Sequence, residues 1–169
     1  IRDRDGVAKV QPVKVDRTGP NPPSAHTDRS PEDSSGGYFK DTVTVSYTSN
    51  GDPDLPDGSP GSGVASISPD QTFNASGAHA YSGKASDQAG NDSDSTQGTV
   101  KVDATDPSLD ISGCPAALLA RDSSHSVDVS ASDGESGLVN DPSGNTPLDT
   151  STAGPHTLKI CLLYTSPSP

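Results

Sequence analysis

The chain has no tryptophan and no methionine, and only two phenylalanines, four tyrosines and two cysteines among 169 residues. Leucine, isoleucine, valine and phenylalanine together make 27 residues, about 16%, under the roughly 20% below which a strongly charged chain tends not to fold. Glutamate is almost missing as well: the 23 acidic residues are 21 aspartates and two glutamates. Glutamate favours helices whereas aspartate caps, turns and ligates, so this bias argues for loops and short strands. Seventeen glycines and 16 prolines point the same way. Eleven basic residues leave a net charge of −12, which argues against nucleic acid as a partner and against attraction to an anionic membrane. No run approaches the roughly 20 apolar residues of a membrane span. No signal peptide opens the sequence, which therefore reads as an internal fragment.

What is present is a repeat. Val13-Lys14-Val15-Asp16-Arg17-Thr18-Gly19-Pro20 returns as Val100-Lys101-Val102-Asp103-Ala104-Thr105-Asp106-Pro107, 87 residues later. Asp3-Arg4-Asp5-Gly6-Val7 precedes the first copy, as Asp87-Gln88-Ala89-Gly90-Asn91 precedes the second. Val43-Thr44-Val45-Ser46-Tyr47 followed by Ser62-Gly63-Val64 answers Val127-Asp128-Val129-Ser130-Ala131 followed by Ser136-Gly137-Leu138. The first interval is longer by a turn-rich insertion, Asn50 to Gly58. Gly77-Ala78-His79-Ala80 answers Gly154-Pro155-His156-Thr157. Four correspondences in order divide the chain: 1–16 as the last strand of a preceding repeat, 17–103 as a complete repeat, and 104–160 as a truncated one. Residues 161–169 resemble the translation of a transposon-end sequencing adapter, and are set aside as a non-native tail.

Strands of period two are expected at Thr42–Tyr47, Thr99–Val102 and Val127–Ala131, with the valines, Tyr47 and Ala131 on one face and hydroxyl or charged residues on the other. No window carries a helical stripe; Ala116 to Ala120 is too short. The fold class is therefore all-β, with strands that bury apolar area by facing a second sheet. Alternation in register with an 87-residue repeat outweighs the disorder-like composition for 17–103. The truncated repeat should leave an unpaired sheet edge and an incomplete core.

Gly37-Tyr38-Phe39, Gly61-Ser62-Gly63-Val64, the Ala85-to-Asn91 turn and the closing Val100-Lys101-Val102-Asp103 resemble bacterial immunoglobulin-like repeats. These occur in tandem in secreted and cell-surface proteins and are close in plan to fibronectin type III modules. Val7 stands where asparagine is usual. The resemblance covers most of residues 1–160. It implies tandem immunoglobulin-like β-sandwich modules, the first and last truncated, in an extracellular or cell-surface setting. The implied role is non-catalytic: a spacer or adhesive region whose partners are neighbouring repeats of the same chain, and beyond them a surface protein or polysaccharide. The alternative is an accessory carbohydrate- or partner-binding module of a secreted hydrolase, which would need an exposed aromatic platform. A disordered acidic linker is the third reading.

The chemistry-bearing residues are sparse. Cys114 and Cys161 do not make a framework, and no cation or histidine adjoins Cys114 to activate it. His79 and His156 occupy equivalent repeat positions, as structural features of a strand start. No G-x-S-x-G elbow supports a catalytic serine, and no zinc spacing occurs. No cofactor is required. Calcium is the one metal with an argument, because each repeat junction concentrates oxygen ligands. Asp87, Asn91, Asp92 and Asp94 lie in a turn, and Asp103 and Asp106 lie at the handover; the candidate set is Asp87, Asn91, Asp103 and Asp106. A tight turn needs the same Asp and Asn without any ion. The insertion from Asp52 to Gly58 departs from the EF-hand pattern and is rejected as one.

Overall fold

The computed structural model describes residues 13–32, 36–116, 119–121 and 123–164. The expected first-repeat turn at Asp3–Val7 lies outside them. Among the described residues there is no helix, and thirteen short strands account for the regular structure. They are β1 (Ser24–Thr27), β2 (Tyr38–Phe39), β3 (Val43–Thr48), β4 (Val64–Ile67), β5 (Gln71–Phe73), β6 (Gly77–Gly83) and β7 (Ala85–Asp87). Then follow β8 (Thr96–Val102), β9 (Ser108–Ser112), β10 (Ser126–Ser132), β11 (Leu138–Asn140), β12 (Gly144–Pro147) and β13 (Leu163–Tyr164).

Several small sheets result, in the orders β1-β3-β5, β2-β8-β6, β4-β7, β12-β10-β9 and β11-β13. β10 pairs antiparallel with β9 and β12, as do β11 with β13 and β4 with β7, whereas β2 and β8 run parallel with Tyr38 opposite Lys101 and Phe39 opposite Val102. β13 comes from the segment set aside as a tail, and its two residues pair with Leu138 and Asn140.

The period-two reading holds on each strand it named. On β3, Val43, Val45 and Tyr47 are buried while Thr48 is exposed. On β8, Val100 and Val102 are buried and Lys101 is exposed. On β10, Val127 and Val129 are buried between exposed Ser126, Asp128 and Ser130. Each fully buried valine removes enough apolar surface to contribute about 1.5–3 kcal/mol, so a few positions carry most of the core.

The residues group into two compact units. One holds the described residues up to His26 with Val45–Gln71 and Tyr81–Gly98. Its interior contains Pro23, Val45, Tyr47, Ala85 and the buried Asp87. Two glycines are required there by close approach: a Cβ on Gly83 would overlap the Tyr47 ring, and one on Gly98 would overlap the Tyr81 phenol. Each tyrosine fills the space a side chain would take at its glycine: Tyr81 of β6 at Gly98 of the adjacent β8, and Tyr47 of β3 at Gly83 of β6, which belongs to a different sheet. The Tyr47 hydroxyl donates to Gln71 Oε1 at 3.2 Å, which satisfies its polar end.

The other unit holds Thr27–Thr44, Thr72–Ala80 and the described residues from Thr99 onward. Its interior contains Phe39, Val43, Val100, Val102, Asp103, Val127 and Val129. In the 104–160 stretch the apolar cover is thin. Ile111 stands opposite Val129 and Leu109 opposite Ala131, yet Leu109 is 41% and Ile111 42% exposed.

Val43→Ala should lower stability by about 2 kcal/mol, since two buried methyl groups are lost and a cavity remains. Gly83→Ala should cost about 1–3 kcal/mol through overpacking against Tyr47. Thr99→Ala, on the exposed side of β8, should stay within about 0.5 kcal/mol of the parent. Urea unfolding midpoints of the three variants check this ordering.

Candidate functional site

The recurring local device is an aspartate that accepts the backbone N–H two residues on. Asp16 does this to Thr18 at 3.0 Å, Asp57 to Ser59 at 3.0 Å, and Asp103 to Thr105 at 3.1 Å. Asp133 does it to Glu135 at 3.0 Å, Asp141 to Ser143 at 2.9 Å, and Asp149 to Ser151 at 3.0 Å. The carboxylate is one methylene from the backbone, the reach this turn needs; glutamate overshoots it.

At two places this device is extended into a junction. Asp16 uses its second oxygen to accept the N–H of Ser62 at 2.7 Å. Asp103 uses its second oxygen to accept the N–H of Ser136 at 3.1 Å. Beside each stands a second aspartate bound to the glycine that follows that serine: Asp52 accepts Gly63 N–H at 2.7 Å, and Asp133 accepts Gly137 N–H at 3.2 Å. Gly63 and Gly137 share a left-handed backbone, with φ of 87° and 79°. The sequence already aligns Ser62-Gly63 with Ser136-Gly137 and Asp16 with Asp103; the equivalent bonding adds Asp52 with Asp133.

The third member differs. In the first junction it is Asp87, at the start of a turn that closes on itself. Asn91 donates its backbone N–H to Asp87 Oδ1 at 2.7 Å and its amide to Oδ2 at 2.8 Å, and Gly90 takes φ of 91°. The same Asn91 amide reaches the Asp16 carbonyl at 3.4 Å. In the second junction the third member is Glu135, two residues after Asp133. Asp103 is fully buried, and its own N–H donates to the Phe39 carbonyl at 2.8 Å. It thereby ties β2 to the Ser136 loop.

Hydrogen bonds set the electrostatics. The backbone donors Thr18 and Ser62 hold the Asp16 carboxyl below its ordinary value of 3.8. Burial pushes Asp87 upward, but the Asn91 side chain and backbone, with Ser62, outweigh it and leave the group below the same ordinary value. In each junction one carboxylate oxygen from every member lies within 4.8 Å of the others, about the span of two oxygens on opposite sides of a calcium ion at 2.3–2.6 Å. Asp52 Oδ1, Asp133 Oδ2 and Ser136 Oγ are buried with no hydrogen-bond partner. Orphaned carboxylate oxygens are costly, and a cation would satisfy them.

Of the calcium set read from sequence, Asp87 and Asn91 meet in the first junction and Asp103 lies in the second, while Asp106 is exposed and belongs to neither group. Asp92 is engaged by the Lys84 ammonium and the Ser86 hydroxyl. Asp16, Asp52, Asp133 and Glu135 escaped the sequence reading. The V-K-V-D match carried a signal for Asp16, whose partner Asp103 was chosen. Asp52 lies inside the Asn50–Gly58 insertion, whose spacing departs from the EF-hand pattern and carries no other local signal for it.

The remaining candidates have structural partners. Nε2 of His79 donates to the Ala75 carbonyl at 2.6 Å and Nε2 of His156 to the Thr152 carbonyl at 2.9 Å, each four residues back. Both follow a glycine of positive φ, 122° at Gly77 and 125° at Gly154. Cys114 and Cys161 are exposed free thiols. Phe39 and Tyr47 are buried, Phe73 stacks on His79 at 5.3 Å, and the Lys101 ammonium covers Tyr38 at 5.2 Å. With Tyr81 over Gly98, the described aromatic side chains are each engaged within the fold.

Asp16, Asp57, Asp87, Asp92, Asp141 and Asp149 all sit below the ordinary 3.8. A carboxyl whose folded value is depressed contributes stability that is complete above its unfolded value and disappears as pH falls through the folded one. The melting midpoint should therefore be level from about pH 7 to 5 and fall progressively below about pH 4, as differential scanning fluorimetry across that range would register. Comparison of the chain with protein-family models, with curated proteins and with solved structures gives no match.

Proposed function

We propose that the chain is a run of tandem immunoglobulin-like β-sandwich modules whose work is mechanical: it spaces or displays other parts of a secreted or surface-exposed bacterial protein. One observation carries this reading. Two aspartates 87 residues apart, each closing a V-K-V-D segment, accept the N–H of the threonine two residues on and of a serine in a Ser-Gly loop. A bond that returns once per repeat at the point of handover is what a spacer needs, because it limits bending where one module follows another. Pro20 and Pro107 add to this by fixing φ beside the joint. The engaged aromatics favour this role over the carbohydrate-binding alternative, which calls for rings free to stack on sugar.

The junctions also suit calcium. Asp16, Asp52 and Asp87 would hold it in one, and Asp103, Asp133 and Glu135 in the other; bound there, the ion would neutralise crowded carboxylates and engage the orphaned Asp52 and Asp133 oxygens.

Asp103→Ala should destabilise the chain by about 3 kcal/mol, since charge-assisted bonds to two backbone N–H groups are lost. It should also increase the maximum dimension spread seen by small-angle X-ray scattering; an unchanged scattering profile would remove the joint from the reading. Millimolar calcium in place of chelator should raise the melting midpoint by several degrees, about 2.7 kcal/mol at a hundredfold excess over Kd. Equal midpoints would strike out calcium and leave the hydrogen-bonded joint. A random-coil circular dichroism spectrum without a thermal transition would end the module reading altogether.

A further inference from the structure

Asn50 is the chain's one asparagine followed by glycine. Such a pair is chemically reactive, because a glycine N–H has no side chain to shield it and its backbone can turn toward the neighbouring carboxamide. In the fold both reacting groups are held by other partners. The Asn50 carboxamide donates to the Pro22 carbonyl at 2.6 Å and to Ser24 Oγ at 3.0 Å, and its Oδ1 lies 3.1 Å from the same hydroxyl. The Asn50 carbonyl accepts the Asn21 amide at 3.1 Å, and the Gly51 carbonyl accepts Asn21 N–H at 3.0 Å. The Gly51 N–H donates to Ser49 Oγ at 3.0 Å. This clasp fastens the segment leading into β1 to the end of β3, and it is exposed to water at Asn50 and Gly51.

We infer that Asn50-Gly51 is a self-modification site gated by this clasp. When the Asn21–Ser24 segment lets go, base removes the Gly51 amide proton and the nitrogen attacks Asn50 Cγ. A C–N bond forms, ammonia leaves with a proton, and a five-membered succinimide results. Water then opens the ring at either carbonyl, giving aspartate or isoaspartate at position 50. One water is consumed, one ammonia is released, and no oxidant or reductant takes part. The product cannot close the clasp again: a carboxylate oxygen would stand where an N–H donor faced the Pro22 carbonyl, setting acceptor against acceptor. Each opening of this edge therefore carries a chance of becoming permanent, and the chain accumulates a record of its time spent open.

Peptide mapping by mass spectrometry tests this on the full chain, held at mildly alkaline pH either folded or in concentrated urea. Asn74 and Asn140 serve as internal references. Conversion at Asn50 should be at least about tenfold slower in the folded chain, reflecting the free energy of local opening. Ser24→Ala should narrow that ratio, and Asn50→Asp should melt below the parent. Equal Asn50 rates in the folded and unfolded chain would overturn the gating, and an Asn50→Asp variant with the parent's melting midpoint would overturn the irreversible opening. Should Ser24→Ala not fold, the ratio measured on the parent chain decides the gating by itself.

Discussion

The structure depends on short carboxylates that accept backbone N–H groups. With so few large apolar residues, strands alone bury little area, and loops this rich in glycine and proline leave many amide hydrogens without a ladder partner. Aspartate supplies the missing acceptors from within the loops. Asp57, Asp141 and Asp149 each tie down a serine two residues ahead and also interact with its hydroxyl. Asp16 and Asp103 go further, reaching loops 46 and 33 residues away in sequence. Hydrogen bonds to an ionised acceptor are about twice as strong as neutral ones, so the excess of aspartate over glutamate compensates for a thin hydrophobic interior.

That interior is built from valines at alternate positions and from tyrosines laid over glycines. Val43, Val45, Val100 and Val102 are at most 4% exposed, and β-branched side chains suit a pleated surface. Gly83 and Gly98 carry no side chain, and so leave room for the Tyr47 and Tyr81 rings to approach their backbone closely. Both devices obtain cover from few atoms, and both leave little tolerance for enlargement or truncation. The stretch from Ser108 to Leu158 shows the opposite condition, with Leu109, Ile111, Val139 and Leu158 each at least two-fifths exposed.

The all-β character and the buried face of each named strand were legible because period-two alternation survives in a six- or seven-residue strand. The turn at Asp87–Asn91 was legible for the same reason: D-x-x-G-N states its own backbone geometry. The junctions were only half legible. Asp87, Asn91 and Asp103 could be picked out because they stand beside recognisable turns, but their company depends on which loops converge, a tertiary fact with no local signature. Asp106 looked equivalent to Asp103 by type and proximity, yet a residue three positions further along an extended segment leaves the cluster and faces water. Asp52 lies inside the insertion, 11 residues before the Gly63 it bonds where Asp133 stands four before Gly137, so the spacing hides the equivalence.

The parallel pairing of β2 with β8 has a mechanical meaning. Tyr38 and Phe39 lie beside Lys101 and Val102, and the Asp103 N–H continues that contact to the Phe39 carbonyl. Tension drawn through the chain beyond Asp103 would run along β8, perpendicular to these bonds, and would strain them together instead of peeling them one at a time. Shear of this kind resists rupture better than unzipping, so a two-residue strand, negligible as a source of folding energy, sits where it can act as a brake on extension.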